Sequence, residues 1–523
     1  MSTVLSAPPP VRYPSARWLL VLALLLGLGF LGTRGLWDHD EGRYVNVALN
    51  MLDSGDWLVP RRHHEMEHWT KPPGTYWLIA ASVAVFGPST WSVRLPMALS
   101  YLLSVYLAWR IARRLAPGQE SHAALVYATL FLPFAASGLV TTDFPLAAAE
   151  GLAMACFVEA RFARGSRAGL WLLGMGLAFA AAFLIKGPPG LLPLAAIALL
   201  GRLAPMTEAR PGRGWHLAAL ALFAAVAAPW FVAVAARYPG LVEHLVGAEV
   251  VERVATDRFD RHGQWYGWAQ VYLPTLVLGS LPWTAELWRL ARRLPAGWRR
   301  WQDPVRRREE ARWLLLALWI LVPLLVFCLA RSRLPLYLLP LFLPLAVAIA
   351  ASRAARGAAP PRLAWLGVWV AVLLLLRLAA AHFPTHKDGA AWAEAIRQRV
   401  QAPVDEVAFI DDMARYSLHL HLGTEVEKLT LDPRPLPRFN PPADHDFGRE
   451  WAELARERTL FITKLEQLPE VQAAVTARGG AILPQGAPYQ GRVMFFVDPA
   501  PRSGASAAPP SPVAHAAMAA SGR

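Results

Sequence analysis

Between Asp38 and Trp77 the chain reads DHDEGRYVNVALNMLDSGDWLVPRRHHEMEHWTKPPGTYW. Asp38, Asp40, Glu41, Arg43 and Lys71 therefore share one polar stretch that follows an apolar N-terminal run. Carboxylates able to take a proton from a hydroxyl or amine stand beside cations able to hold a phosphate. That pairing suits transfer of a group carried on a phosphate.

Plainer roles compete for each residue. Asp40 and Glu41 precede a stretch whose apolar positions, Val45, Ala48, Leu49 and Leu52, have the spacing of a surface-lying amphipathic helix ending at Gly55. Acids at a helix start are favoured by its dipole and often serve only as caps. Lys71 beside a membrane can simply snorkel, but the two prolines after it hold an extended, poorly adaptable backbone that suits a fixed anion site. The cluster His63, His64, Glu65, Glu67 and His68 offers metal donors at short spacing, yet as a run in a loop it reads as a solvated face. No residue is assigned to a metal, and the cofactor requirement stays open.

The elements that must position these groups are membrane helices. Of 523 residues 55% are hydrophobic and only 17% charged, and apolar runs long enough to cross a bilayer recur from Trp18 to about Phe383. The run from Trp18 to Trp37 lacks a small-residue cleavage site and reads as a retained first span rather than a signal peptide. The net charge of +14 lies in Arg groups between spans, the largest running from Arg289 to Arg312, so it orients the chain and does not point to nucleic acid. Cys156 and Cys328 fall inside apolar spans, which argues against a disulfide framework.

With Arg12 and Arg17 on the cytoplasmic side, the charge pattern gives about eleven crossings between residues 17 and 382. Gly74 to Phe86 is too short and would invert every later loop, so it reads as a juxtamembrane helix. The same bookkeeping puts Asp40, Lys71, Asp143, Lys186, Glu249 and Arg253 on the outer side. Titratable groups converging from distant loops are what an active site requires.

Beyond Phe383 strand patterns (EVAFIDD, EVEKLTL, TLFITK, GRVMFFVD) alternate with helix patterns, which reads as a small α/β domain outside the membrane. The expected organisation is a cytoplasmic tail over 1–16, a transmembrane domain over 17–383 with an outer loop at 37–90, the α/β domain over 384–498, and a disordered Ala-, Ser- and Pro-rich tail over 499–523.

Five ordered motifs carry a family resemblance. DEGRY with its helix and LDSGDWLVPR, then TKPPGTYW and RLPMALS, TTDFPLAA from Thr141, LIKGPPG from Leu184 and SRLPLYLLPLFLP from Ser332 together resemble the bacterial aminoarabinose transferase and protein O-mannosyltransferase group. These are membrane glycosyltransferases of the type C fold. The resemblance spans roughly residues 17 to 382. It implies an enzyme that moves a sugar from a polyprenyl-phosphate carrier to an acceptor on the periplasmic side of a bacterial inner membrane. Asp40 matches the catalytic aspartate with Glu41 beside it, and Asp143 matches the second acidic position. Lys71 and Arg253 match cations near the donor phosphate, and Tyr337 matches a late-loop tyrosine. Arg43 joins the phosphate-side cations; Lys186 reads as a second phosphate contact or as an anchor.

The chain departs from the aminoarabinose branch at two places. Where such relatives often carry Glu before the KPP lysine and a Glu-His pair in a later loop, this chain has Thr70 and Glu249-Val250, and a neutral hydroxyl at 70 and an aliphatic side chain at 250 are poor ligands for a divalent metal. Displacement at the anomeric carbon by a single base would invert its configuration. Lipid A, a protein or another envelope glycan stays open as acceptor. The competing class is a transporter or flippase, which usually buries ionisable residues at mid-membrane in repeated halves; no paired halves occur in this sequence.

Overall fold

The computed structural model describes residues 15–205, 211–247, 261–432, 435–454 and 458–499. They form two units: one holds the described residues through Arg34, Asp56–Val59 and Trp69–Phe383, the other Gly35–Gly55, Pro60–His68 and the described residues from Pro384 onward.

The first unit is helical and is that of a multi-pass membrane protein. Among the described residues six helices are both long and apolar enough to cross a bilayer: Leu95–Leu115, Ser166–Lys186, Arg213–Arg237, Ala311–Leu329, Pro335–Ala355 and Leu363–Ala381. The difference from the crossing count in the sequence has local causes. Ala16–Leu28 is only 13 residues long and Leu192–Leu203 only 12. The apolar stretch near 121–140 is broken into Glu120–Thr129 and Phe131–Ala136, because Pro133 cannot donate to the Thr129 carbonyl one turn back. That carbonyl instead accepts the Trp369 indole N–H at 2.8 Å. Asp143–Phe162 has the length of a span but carries Asp143, Glu150, Glu159 and Arg161.

Several buried charges in this unit are matched, as a low-dielectric setting demands. Glu159 pairs with Arg110 at 2.7 Å and accepts from Arg114 at 2.8 Å, and Glu286 accepts from Arg289, Arg353 and Arg356. Arg377, inside the last span, donates to the carbonyls of Leu26 and Phe134, both at 2.8 Å, and to the Ser137 hydroxyl at 2.7 Å. It serves helix-end carbonyls that would otherwise lack partners.

The second unit is an α/β domain. Its strands are β1 (Arg61–His63), β2 (Met66–Glu67), β3 (Glu406–Ile410), β4 (Glu425–Thr430), β5 (His445–Asp446), β6 (Thr459–Lys464), β7 (Ala481–Pro484) and β8 (Arg492–Asp498). β1 and β2 form a hairpin; the others make a sheet of order β5-β4-β3-β6-β8-β7, parallel through β6 and antiparallel at β8 and β7. Every residue of β3 is buried, which a parallel strand covered on both faces requires. Val407, Phe409, Val426, Leu460 and Met494 pack on one face with Trp392 and Ile396; Ala408, Ile410, Leu429, Phe461 and Phe495 pack on the other with Phe447 and Val471.

Residues that the sequence assigns to the outer loop also fold into this unit. The helix Asp40–Ser54 ends at Gly55, whose φ of 67° lies in the left-handed region. Its Asn46 donates to the Arg62 carbonyl, and the Asn46 amide oxygen accepts from Nδ1 of His419 at 2.8 Å. Gly42 lies so close to Ser417 that a Cβ there would meet the Ser417 nitrogen at 2.6 Å and run into the Asp38 carboxylate. The histidine-rich run is not a solvated face: Arg62, His63 and His68 are buried. Arg62 pairs with buried Asp444 and donates to the carbonyls of Pro441 at 2.8 Å and Ala443 at 3.1 Å.

Candidate active site

In the membrane unit the charged groups gather at helix ends. Asp143 is the first residue of Asp143–Phe162 and Lys186 the last residue of Ser166–Lys186. The short turn at 163–165 makes these helices antiparallel neighbours, so the start of one meets the end of the other. A carboxylate at a helix N-terminus and an ammonium at a C-terminus both complement the backbone dipoles. Lys186 donates to Asp143, and each side chain is only about a tenth exposed. The Lys186 ammonium also lies 4.5 Å from the centre of the Tyr337 ring, a cation–π contact. Tyr337 sits in the 3-10 turn Pro335–Leu341 and accepts a long hydrogen bond from Arg261 at 3.4 Å.

Lys71 belongs to the same unit. Its ammonium donates to the Thr70 carbonyl at 2.6 Å, and the loop is seated by Gly74. A Cβ on Gly74 would meet the Leu184 carbonyl at 2.8 Å and Ile185 at 3.0 Å. The KPPG loop therefore abuts the last turn of Ser166–Lys186 through a contact that leaves no room for a side chain at Gly74. The structure thus brings Asp143, Lys186 and Tyr337 together, with the Lys71 loop packed on the helix that carries Lys186. Arg253 lies outside the described residues, as do Glu249 and Val250. Arg261 was not singled out in the sequence, although it follows Arg253 closely along the chain. Glu150 was also missed: it is buried within electrostatic reach of Lys186, but nothing in its neighbourhood in the sequence marks it.

Asp40, Glu41 and Arg43 lie in the second unit and differ sharply from one another. The Asp40 side chain is 66% exposed and pairs with Arg43 at 2.9 Å across one helical turn. Glu41 points inward, is buried and accepts the Trp37 N–H at 2.9 Å, which ties the first turn of the helix to the chain just before it. Burial, helped by Arg43, pushes the neighbouring His39 down to about 4, so its imidazole is neutral at physiological pH.

Asp38 is the most perturbed acid of the loop. Burial pushes it up to about 7, against the lowering effect of the Ser417 hydroxyl and N–H that it accepts. A folded-state value above the ordinary 3.8 means that the folded form holds the proton more tightly. The stabilisation from that proton is full below the unfolded value and is lost as pH rises toward about 7. Asp38→Asn should therefore remove a fall in stability of about 2–4 kcal/mol between pH 4 and 8. Hydrogen exchange of residues 386–430 in the detergent-solubilised chain measures this, and an unchanged pH slope in the variant would contradict it.

Comparison with known proteins agrees with the motifs. The family model described as dolichyl-phosphate-mannose-protein mannosyltransferase matches residues 70–232. An undecaprenyl phosphate-alpha-4-amino-4-deoxy-L-arabinose arabinosyl transferase of Pseudomonas fluorescens is 33% identical over 363 residues, 65% of this chain and 61% of its own length. The corresponding transferase of Pseudomonas aeruginosa strain LESB58 is 34% identical over 351 residues, 64% of this chain and 59% of its own. The chain thus spans about three fifths of the length of the curated relatives it matches. The crystal structure of ArnT from Cupriavidus metallidurans bound to undecaprenyl phosphate superposes with a TM-score of 0.72 at 19% identity, covering 92% of this chain and 98% of that one. The resemblance drawn from the motifs is borne out: the chain is similar in sequence to the aminoarabinose transferases and has the type C fold of membrane glycosyltransferases.

Proposed function

We propose that this chain transfers a sugar from a polyprenyl-phosphate donor to a lipid, protein or glycan acceptor at the periplasmic face of a bacterial inner membrane, with inversion at the anomeric carbon. The observation that carries the reading is the Asp143–Lys186–Tyr337 constellation at helix ends of a membrane unit with the type C fold. In the reaction the acceptor oxygen or nitrogen attacks the anomeric carbon and its proton passes to Asp40. The bond from that carbon to the phosphate oxygen breaks, and the polyprenyl phosphate leaves with the electron pair. Lys71, with Arg43, Lys186 and Arg253 as further cations, meets the negative charge that develops there. Asp143 and Tyr337 hold the Lys186 ammonium in place, and Glu41 fixes the start of the helix that presents Asp40.

The names of the curated relatives make undecaprenyl phosphate-linked 4-amino-4-deoxy-arabinose the first donor to test. They give no support to a transporter. Mass spectrometry of envelope lipids and glycans from cells with and without the gene should show one sugar-bearing species that depends on it. The purified chain should release the lipid phosphate only when an acceptor is present. Movement of intact donor across vesicles without any transfer would overturn the reading, and NMR of a product with retained anomeric configuration would overturn inversion.

A further inference from the structure

A second cluster of chemically capable side chains lies in the α/β unit and plays no part in the transfer just described. β3 and β4 are paired in parallel with Glu406 opposite Glu425 and Ala408 opposite Glu427. Because side chains alternate along a strand, all three glutamates share the sheet face that also carries Ala408, Ile410 and Leu429. The hairpin β1–β2 brings His63 to this face: its Nε2 lies 2.8 Å from a Glu406 oxygen and 3.7 Å from Glu425. His63 and Glu427 are each 1% exposed and Glu406 is 4% exposed.

Buried glutamates on an interior strand need compensation. Most acids around them have it: Asp444 is matched by Arg62, Glu425 by His64, and Glu65 by His445 and Arg449. Glu427 is different. Both of its carboxylate oxygens and Nδ1 of His63 are buried with no hydrogen bond of ordinary geometry among the described residues, and the groups that face Glu427 are the carboxyls of Glu406, Glu450 and Asp444, of which Glu450 comes near enough to share a proton. One donor atom from each of His63, Glu406 and Glu427 falls within 4.8 Å of the other two. Ligands bound at ~2.1 Å to a single tetrahedral ion lie about 3.4 Å apart, a spacing these side chains reach by small rotations.

We propose that His63, Glu406 and Glu427 bind one zinc-type divalent ion that fastens the hairpin β1–β2 to the central strands β3 and β4. One imidazole and two carboxylates are an ordinary zinc donor set. The ion would supply two positive charges where the protein offers buried acids and a single imidazole. Its role is structural: it clips residues 61–67 to a sheet more than 300 positions later in the chain, and closing so long a loop restricts the unfolded state most. The competing arrangement is metal-free, with Glu427 keeping a proton and donating it to Glu450.

The two arrangements are separated by zinc content. Untagged full-length protein in detergent is stripped with chelator, desalted, incubated with Zn²⁺, passed through gel filtration and assayed by inductively coupled plasma mass spectrometry. Wild type should retain about one zinc per chain and show a higher thermal midpoint with zinc than without it. Glu427→Gln preserves volume and neutral hydrogen bonding, so it should fold, yet it should lose both the zinc and the shift. His64→Ala, which belongs to the more exposed triplet His63, His64 and Glu425, should keep them. Equal zinc in wild type and Glu427→Gln, or loss in His64→Ala alone, overturns the proposal. Should Glu427→Gln fail to fold, Co²⁺ titration of wild type decides instead: visible absorption of four-coordinate Co²⁺ supports the site, and the spectrum of hydrated Co²⁺ alone defeats it.

Discussion

Asp40→Asn is expected to lower the rate of sugar transfer by about 10²–10⁴-fold, the usual contribution of a positioned general base. The substitution removes the proton acceptor while changing volume very little. The local structure predicts that folding survives. Asp40 is largely exposed and its ion pair to Arg43 spans a single helical turn; surface pairs of this kind contribute about 0–1 kcal/mol. Asparagine is also well accepted at the start of a helix. A lost rate with an unchanged thermal midpoint would therefore report chemistry. Glu41→Gln is the matched control, because glutamine keeps an acceptor for the Trp37 N–H. Transfer at the wild-type rate by Asp40→Asn would end the assignment, and a dead Glu41→Gln beside a live Asp40→Asn would move the base to Glu41.

Lys71→Ala is expected to cost about 10²–10³-fold in kcat/KM, comparable to deletion of one fixed donor to a developing negative charge. How the loss divides is informative. A cation that acts only on the leaving phosphate lowers kcat and leaves KM unchanged, whereas one that also binds the ground-state phosphate raises KM. The KPPG loop is held by Gly74 against Leu184 and Ile185, so shortening the side chain should leave the backbone in place. Steady-state kinetics with a lipid-phosphate sugar donor give the division directly. Unchanged kcat and KM would return Lys71 to the role of a membrane-flanking anchor.

Much of the architecture is legible in the residues because the signals are local. The hydropathy of Leu363–Ala381 or Arg213–Arg237 is a property of consecutive side chains and needs no partner to be read. The strands EVAFI and TLFITK announce themselves by β-branched and aromatic content, and each is buried almost throughout. The five motifs are short and ordered, so they point to the type C fold without any knowledge of contacts. Breaks in that legibility also have local chemistry behind them: Pro133 divides an apolar stretch that hydropathy alone treats as continuous.

The sequence by itself determined that this is a multi-pass membrane protein with an α/β domain toward its C-terminal end, and it identified which loops carry acids and lysines. Only the tertiary structure decided which side chains meet. Asp40 and Glu41 are adjacent in the chain, yet one faces solvent and the other is buried and accepts the Trp37 N–H. Asp143 finds Lys186 because an antiparallel helix pair returns to the same end. Asp38 accepts from Ser417, and His63 meets Glu406, across more than 300 residues. Periodicity along a segment records the face that turns inward, whereas a pairing between distant segments depends on strand order and register, which no single segment contains.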